Sequence, residues 1–222
     1  RTRLEIRTPP KSFVEALAAK AKTPTLDACL ANPAELAAYT EGREVIDLIR
    51  AYPVPWTPEE FVAALRPLQG RAYSISSSPK AHPGEVHLCV STVKYTAHDR
   101  EQIGVCSGYL SELEPGAPLQ VYLSPNKHFG VPENGDAPMI MVGPGTGIAP
   151  FRAFLEERKA RGDTGPNWLF FGDRHARSDF LYEDDLRAFQ ADGLLTRLDL
   201  AWSRDTADKV YVQDLMRKNA GE

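Results

Sequence analysis

The pattern of apolar and polar positions changes character twice along the chain. Residues 1–66 read as mainly helical: Ser12 stands where it can cap a helix over 13–20, with Glu15 at the capping-box position. Pro33 opens a second helix through Tyr39, residues 44–51 form a third, and Thr57 caps a fourth over 58–65 that stops before Pro67. From Gln69 the signal becomes that of strands. Residues 71–76, 85–94 and 119–123 are rich in β-branched and aromatic residues and are bounded by proline- and glycine-rich turns, which predicts an antiparallel β domain. A short helix over 108–113 follows the Gly104-Val105-Cys106-Ser107 stretch.

After residue 138 strands alternate with helices. Met139 to Val142 is an apolar run too short for an ordinary helix, so it predicts a buried strand feeding the glycine turn at 143–147. Pro150 suits a first helical turn. Phe151, Phe154, Leu155 and Arg158 then recur at spacings of three and four, which points Glu156 and Glu157 outward. Strands at 167–171 and 195–202 and helices at 180–190 and 211–218 complete a βαβ pattern, and this predicts a parallel sheet with right-handed crossovers. In the helix over 180–190 Leu181, Leu186 and Phe189 face inward. The expected division is 1–66, 67–135 and 136–222, and no internal repeat or low-complexity run interrupts it.

Composition narrows the classes. With 222 residues and 42% hydrophobic content, the chain can bury a sizeable core or two modest ones. A net charge of -4 gives no basic footprint for nucleic acid. No apolar stretch approaches a membrane span, and the first residues lack the apolar centre of a signal peptide. Cys29, Cys89 and Cys106 lie far apart and fit a reducing cytoplasm better than a disulfide framework or zinc site. His82, His87, His98, His128 and His175 show no metal-ligand spacing, and no metal is expected.

Three segments carry chemistry. Gly143, Gly145 and Gly147, with Thr146 among them, let a backbone approach a ligand closely at a helix N-terminus, a geometry suited to phosphate. Arg71 and Tyr73 fall on one face of a strand, where a guanidinium can pair with a diphosphate and a phenol can stack on a planar ring; Ser74 projects to the other face. Ser203, Arg204 and Lys209 follow a strand end and offer hydroxyl, forked and point-charge donors, a set matched to a compact dianion such as a 2′-phosphate.

In order and spacing, RAYSISSSP, GVCSGYL, MVGPGTGIAPFRAFLEER, NWLFFGDRHARSDFLYEDDL, LDLAWSRD and KVYVQDL resemble the FAD- and NADPH-binding module of the diflavin reductases. The resemblance covers nearly the whole chain. It implies a partial antiparallel FAD-binding β-barrel, into which the helical 1–66 is inserted as a connecting domain, followed by a partial ferredoxin-NADP reductase-like α/β domain. Arg71, Ala72, Tyr73 and Ser74 would hold FAD, with Tyr73 stacked on the isoalloxazine and Ser74 assisting hydride transfer. Cys89, Val90, Ser91 and Tyr95 match the next FAD-contacting strand, and Gly104, Val105, Cys106 and Ser107 the diphosphate loop. Gly143, Gly145, Thr146 and Gly147 would face the NADPH diphosphate; Ser203, Arg204, Lys209, Val210, Tyr211, Val212 and Gln213 match the 2′-phosphate pocket.

The same resemblance implies an NADPH-dependent oxidoreductase. It would take a hydride from NADPH onto FAD and pass electrons through an FMN domain to a sirohaem and iron–sulfur hemoprotein that reduces sulfite, a step in cysteine biosynthesis. It also implies a chain that begins after the barrel's first strands and ends before the family's Cys-Gly-Asp strand and C-terminal aromatic residue. Two other readings stand beside it: a single-flavin reductase serving ferredoxin or flavodoxin, against which the helical 1–66 argues, and a truncated nucleotide-binding module without turnover.

Overall fold

The computed structural model describes residues 4–222. These form two compact units: one runs to Arg71 and includes Thr92–Ala117, and the other combines Ala72–Ser91 with Pro118–Glu222. Together they hold a mixture of helix and sheet, with one antiparallel strand pair and one parallel three-stranded sheet. No helix among the described residues is long and apolar enough to cross a membrane.

The first unit begins with five helices: α1 (Lys11–Ala21), α2 (Pro24–Ala31), α3 (Pro33–Thr40), α4 (Val45–Ala51) and α5 (Pro58–Ala64). Proline opens α2, α3 and α5, where its missing N–H costs no helical hydrogen bond. Thr57 and Glu60 close a capping box on α5, with bonds of 3.2 and 3.0 Å. Ser12, by contrast, does not cap α1. The helix starts at Lys11, two residues before the expected position, and the Ser12 hydroxyl donates to the Ala64 carbonyl at 2.9 Å, tying the start of α1 to the end of α5. Phe13, Leu17, Leu26 and Leu48 are fully buried, and Phe13 stacks on Trp56 with ring centroids 5.5 Å apart.

The same unit holds the hairpin β1 (Lys94–Ala97) and β2 (Arg100–Ile103), followed by α6 (Val105–Ser111). His98 and Asp99 both take positive φ, the backbone of a two-residue primed turn. Arg100 reaches from β2 to both carboxylates at the start of α4, Glu44 at 2.9 Å and Asp47 at 2.7 Å. The strands expected over 71–76, 85–94 and 119–123 are largely unpaired among the described residues. One bridge, Ile75 to Leu88, marks the first two, and residues 121–123 are well exposed. β-propensity records the fit of a side chain to a pleated surface and does not create a ladder without a partner strand.

The second unit is built on the parallel sheet β3 (Met139–Val142), β4 (Asn167–Asp173) and β5 (Arg197–Trp202), in that order. Between them run α7 (Ala149–Arg161), α8 (Ala176–Asp179) and α9 (Glu183–Ala191), and α10 (Val212–Lys218) follows β5. Met141, Leu155, Leu169, Phe171, Leu186 and Leu195 make a core exposed by 2% or less at each position. Arg158, on the buried face of α7, is fully enclosed; its guanidinium donates to the carbonyls of Gly135, Ala137 and Gly165 at 2.7–3.1 Å. Glu156 is not on the outer face. It is buried and accepts the Ser78 N–H at 2.8 Å.

Candidate functional site

The glycine turn sits where β3 ends. Gly143 N–H donates to Phe170 O at 3.0 Å, and the chain then winds into a 3-10 turn, Gly145–Ile148, that runs directly into α7. Gly143 is confined by packing: a Cβ there would lie 2.7 Å from both the Gly147 carbonyl oxygen and the Phe151 ring. Gly145 requires glycine for another reason, a φ of +55°. At Gly147 the nearest atom to an added Cβ is 3.8 Å away, so the exposed side of the turn is open. Gly145 and Thr146 stand in the first positions of the turn, ahead of any acceptor within it, and leave N–H groups for an outside anion.

Two further loops leave the same carboxyl edge of the sheet. Ser203 N–H donates to Asp173 O and Arg204 N–H to Arg174 O, each at 2.9 Å, so the loop after β5 is zipped to the loop after β4. The Ser203 hydroxyl also reaches Asp173 O, at 3.2 Å. Asp205 braces the pair: one carboxylate oxygen meets His175 Nδ1 and the other accepts the Ala176 N–H, both at 2.9 Å. The Ala176 backbone bond, and then His175, hold the Asp205 carboxyl below the ordinary aspartate value.

With both oxygens of Asp205 engaged, the cations nearby are left uncompensated. Arg204 and Lys209 are exposed, and their side chains make no hydrogen bond or ion pair among the described residues. That donor set fits a phosphate dianion. Val210 and Tyr211 lead into α10, whose Val212 packs against Gly172 of β4: a Cβ on that glycine would lie 3.0 Å from the valine methyl. Tyr211 N–H is capped by Asp214 at 2.9 Å, and Gln213 is exposed in the first turn.

The segments expected to meet a flavin are placed as follows. Arg71 is half exposed, bonded to Gln69 O at 3.0 Å and 3.9 Å from the buried Glu5 carboxylate. Ala72 and Ser74 are exposed and Tyr73 is half-buried. The Ile75–Leu88 bridge and the 2.8 Å bond from Ser76 N–H to His87 O bring this segment beside Cys89, Val90 and Ser91. Tyr95 is half exposed on β1.

Gly104 N–H donates to Val93 O at 2.8 Å, and the Ser107 hydroxyl accepts the Val93 N–H at 3.1 Å. A Cβ on Gly104 would lie 2.5 Å from that hydroxyl, which accounts for glycine at the position. Ser107 is therefore turned into the fold, while Val105 and Cys106 open α6 with N–H groups unmatched within the helix.

Sequence reasoning missed Arg152, which is buried on α7 and joins four partners. It donates to Ser76 O at 2.7 Å, pairs with Asp185 at 2.6 Å and Glu156 at 2.9 Å, and stacks over Tyr182. The Tyr182 hydroxyl meets Ser76 Oγ at 3.3 Å, and burial raises the phenol's pKa. The signal in the sequence was the Arg-Glu pair at i and i+4, visible once the helix is drawn.

Two known families match the chain. The family described as FAD binding domain matches residues 1–109, and the family described as oxidoreductase NAD-binding domain matches residues 141–222. The chain thus matches an FAD-binding family over its N-terminal part and an oxidoreductase NAD-binding family over its C-terminal part, and FAD and NADPH are the cofactors this pairing supports.

It is similar to the flavoprotein alpha-component of NADPH-sulfite reductase. It is 48% identical to the Bacillus subtilis protein over 86% of this chain and 32% of the relative. With the Yersinia enterocolitica protein the identity is 44% over the whole chain and 37% of the relative. A Yersinia pestis protein of the same name is 43% identical over 95% of the chain and 35% of the relative. The chain spans about a third of the length of these curated relatives.

Proposed function

We propose that the chain is the part of an NADPH-dependent flavoprotein reductase in which a hydride passes from NADPH to FAD. The observation that carries this reading is the convergence, at one edge of a parallel sheet, of the open glycine turn after β3 and the loop after β5, whose Arg204 makes no ion pair among the described residues. Ligands of such sheets lie beyond the carboxyl ends of the strands. The turn's N–H groups would take the diphosphate, and Ser203, Arg204 and Lys209 the 2′-phosphate, with Val210, Tyr211, Val212 and Gln213 shaping the pocket wall.

FAD contacts are proposed at Arg71, Ala72, Tyr73, Ser74, Cys89, Val90, Ser91, Tyr95, Gly104, Val105, Cys106 and Ser107. Bound FAD supplies the hydride-accepting ring; the chain contributes position and charge. Arg71 offers a guanidinium to the diphosphate, Tyr73 a flat ring for the flavin, and Ser74 an exposed hydroxyl to hydrogen-bond its edge. Residues 1–66 serve as a helical connecting domain, 67–135 as the C-terminal half of an antiparallel barrel and 136–222 as a ferredoxin-NADP reductase-like domain.

Similarity to the flavoprotein component of a sulfite reductase further supports a hemoprotein as terminal partner. We assign to that partner sirohaem and an iron–sulfur cluster, reached through an FMN domain, in the cytoplasm; Cys29, Cys89 and Cys106 are all free thiols. The deciding test is the visible spectrum of the purified chain after FAD loading and removal of free flavin. Retained flavin bands that bleach on anaerobic addition of NADPH support the reading. Retained bands that NADPH leaves unchanged overturn it in favour of a binding module, and a chain that keeps no flavin at any concentration overturns the FAD assignments.

A further inference from the structure

A second cluster lies on the segment that precedes Cys89, within the second unit. His82-Pro83-Gly84-Glu85 is a tight turn: Glu85 N–H donates to His82 O at 3.2 Å, Pro83 stands at the second position, and Gly84 has a φ of +80°. Proline followed by a positive-φ glycine is the pattern of a type II turn. It sets His82 and Glu85 side by side, and His87 follows Glu85 by two residues in extended chain, on the same side. The His82 and His87 rings are 4.3 Å apart between centroids. One ligand atom from each of His82, Glu85 and His87 lies within 4.8 Å of the others.

We propose that His82, Glu85 and His87 bind one divalent transition-metal ion of the zinc class. Two imidazoles and one carboxylate are a donor set that favours zinc or its first-row neighbours over magnesium or calcium, which take oxygen ligands. Donors at about 2.0–2.1 Å from a tetrahedral ion stand about 3.3 Å from one another. His87 Nε2 and Glu85 Oε2 are already 2.9 Å apart, so closing on an ion requires only a small adjustment there.

The buried side of the cluster is braced as metal sites are. Glu156 Oε1 lies 3.0 Å from His82 Nε2, and the carboxylate is itself fixed by Arg152 at 2.9 Å and the Ser78 N–H at 2.8 Å. A carboxylate on one ring nitrogen fixes the histidine's tautomer and orientation and leaves the other nitrogen as the lone-pair donor. The turn is pinned as well, through His82 N–H to Ser78 O at 2.9 Å and His87 N–H to Ser77 Oγ at 3.0 Å. Glu85 is exposed, so the open coordination position faces water. The sequence hides the site because its donors are spaced by a turn rather than by a helical or knuckle repeat. The inference rests on none of the residues assigned to FAD or NADPH.

The test uses the tag-free chain stripped with chelator, titrated with zinc chloride while the imidazole nitrogens are followed by NMR and the heat by calorimetry. One zinc per chain is expected, with ring signals of His82 and His87 moving and those of His98, His128 and His175 staying in place. His87→Ala should weaken zinc at least tenfold, and Glu156→Gln by about 10–100-fold as an orienting partner, while magnesium chloride gives no response. The wild-type ring signals decide the matter even if a variant fails to fold. Zinc that moves other histidines, zinc affinity unchanged in folded His87→Ala, or no saturable binding below about 1 mM overturns the site.

Discussion

The Arg152 guanidinium donates to the Ser76 carbonyl at 2.7 Å, joining α7 to the strand segment that carries Tyr73 and Ser74. Its other bonds, to Asp185 and Glu156, surround the charge with acceptors in a site where the arginine is 9% exposed. Arg152 is thus a positioning residue: it holds the backbone two residues from Ser74 without touching the proposed flavin contact itself.

Arg152→Ala leaves Glu156 buried with one partner fewer and frees the Ser76 carbonyl. Removing one member of a buried pair costs about 3–5 kcal/mol, and the remaining bonds of Glu156 to Ser78 and His82 place the expected loss near the lower end. Urea denaturation should show it as a lower midpoint. Arg152→Lys keeps the charge but cannot span three acceptors in a fork, so it should recover less than half. A loss under about 1 kcal/mol for alanine, a size typical of exposed pairs, would contradict the bracing role.

Glycines of the turn separate packing from ligand approach. Gly143→Ala drives a methyl to 2.7 Å from a backbone oxygen that cannot yield, and overpacking of this kind costs about 1–3 kcal/mol. Gly147→Ala meets nothing closer than 3.8 Å and should leave the denaturation midpoint near wild type. If the diphosphate lies against the turn, the same methyl should weaken NADPH and NADH alike. Fluorescence titration checks this; unchanged affinity for both would move the diphosphate elsewhere.

How far the sequence carried depended on whether the cause was local. The β3 strand was read with its true bounds because a short apolar run closed by glycine is a local signal, and Thr57 capped α5 as read because its partner, Glu60, is three residues away. Ser12 misled because its hydroxyl is claimed by Ala64, 52 residues on, and α2 was overlooked at Thr23-Pro24. Glu156 was placed outward by helical periodicity, but Ser78 and His82 cover that face of α7. The position of Ser203 and Arg204 at a strand end was legible; that His175 and the Ala176 N–H would engage both oxygens of Asp205 was not, since the partners lie on different loops.

The engagement of Asp205 gives a pH prediction. The Asp205 carboxyl is held below its ordinary 3.8, first by the Ala176 N–H and then by His175. A carboxyl lowered in the fold contributes stability above its unfolded value, and the contribution is lost as pH falls through the folded one. The loop anchor should therefore persist through mildly acidic pH and release only below about 4, the ordinary aspartate range. In carboxyl-carbon NMR, His175→Ala should move the Asp205 midpoint upward, toward 3.8 but not to it, because the Ala176 bond remains. A midpoint unmoved in that variant would show that the His175 contact has no electrostatic weight.

Arg204 gives the sharpest test of cofactor choice. Its guanidinium is exposed, without an acidic partner among the described residues, and sits on a loop fixed by two backbone bonds to the chain after β4. A charged hydrogen bond contributes about 1.5–3 kcal/mol, so Arg204→Ala should weaken NADPH by roughly ten- to a hundredfold. NADH carries no 2′-phosphate and should change less than about threefold by the same reasoning. Because the side chain supports no other part of the fold, thermal stability should stay within about 0.5 kcal/mol of wild type, as for surface changes generally. Lys209→Ala should act in the same direction more weakly, since a single ammonium offers charge without the fork. Equal loss for NADPH and NADH in Arg204→Ala would place the arginine at the diphosphate. Unchanged binding of both would remove it from the nucleotide site.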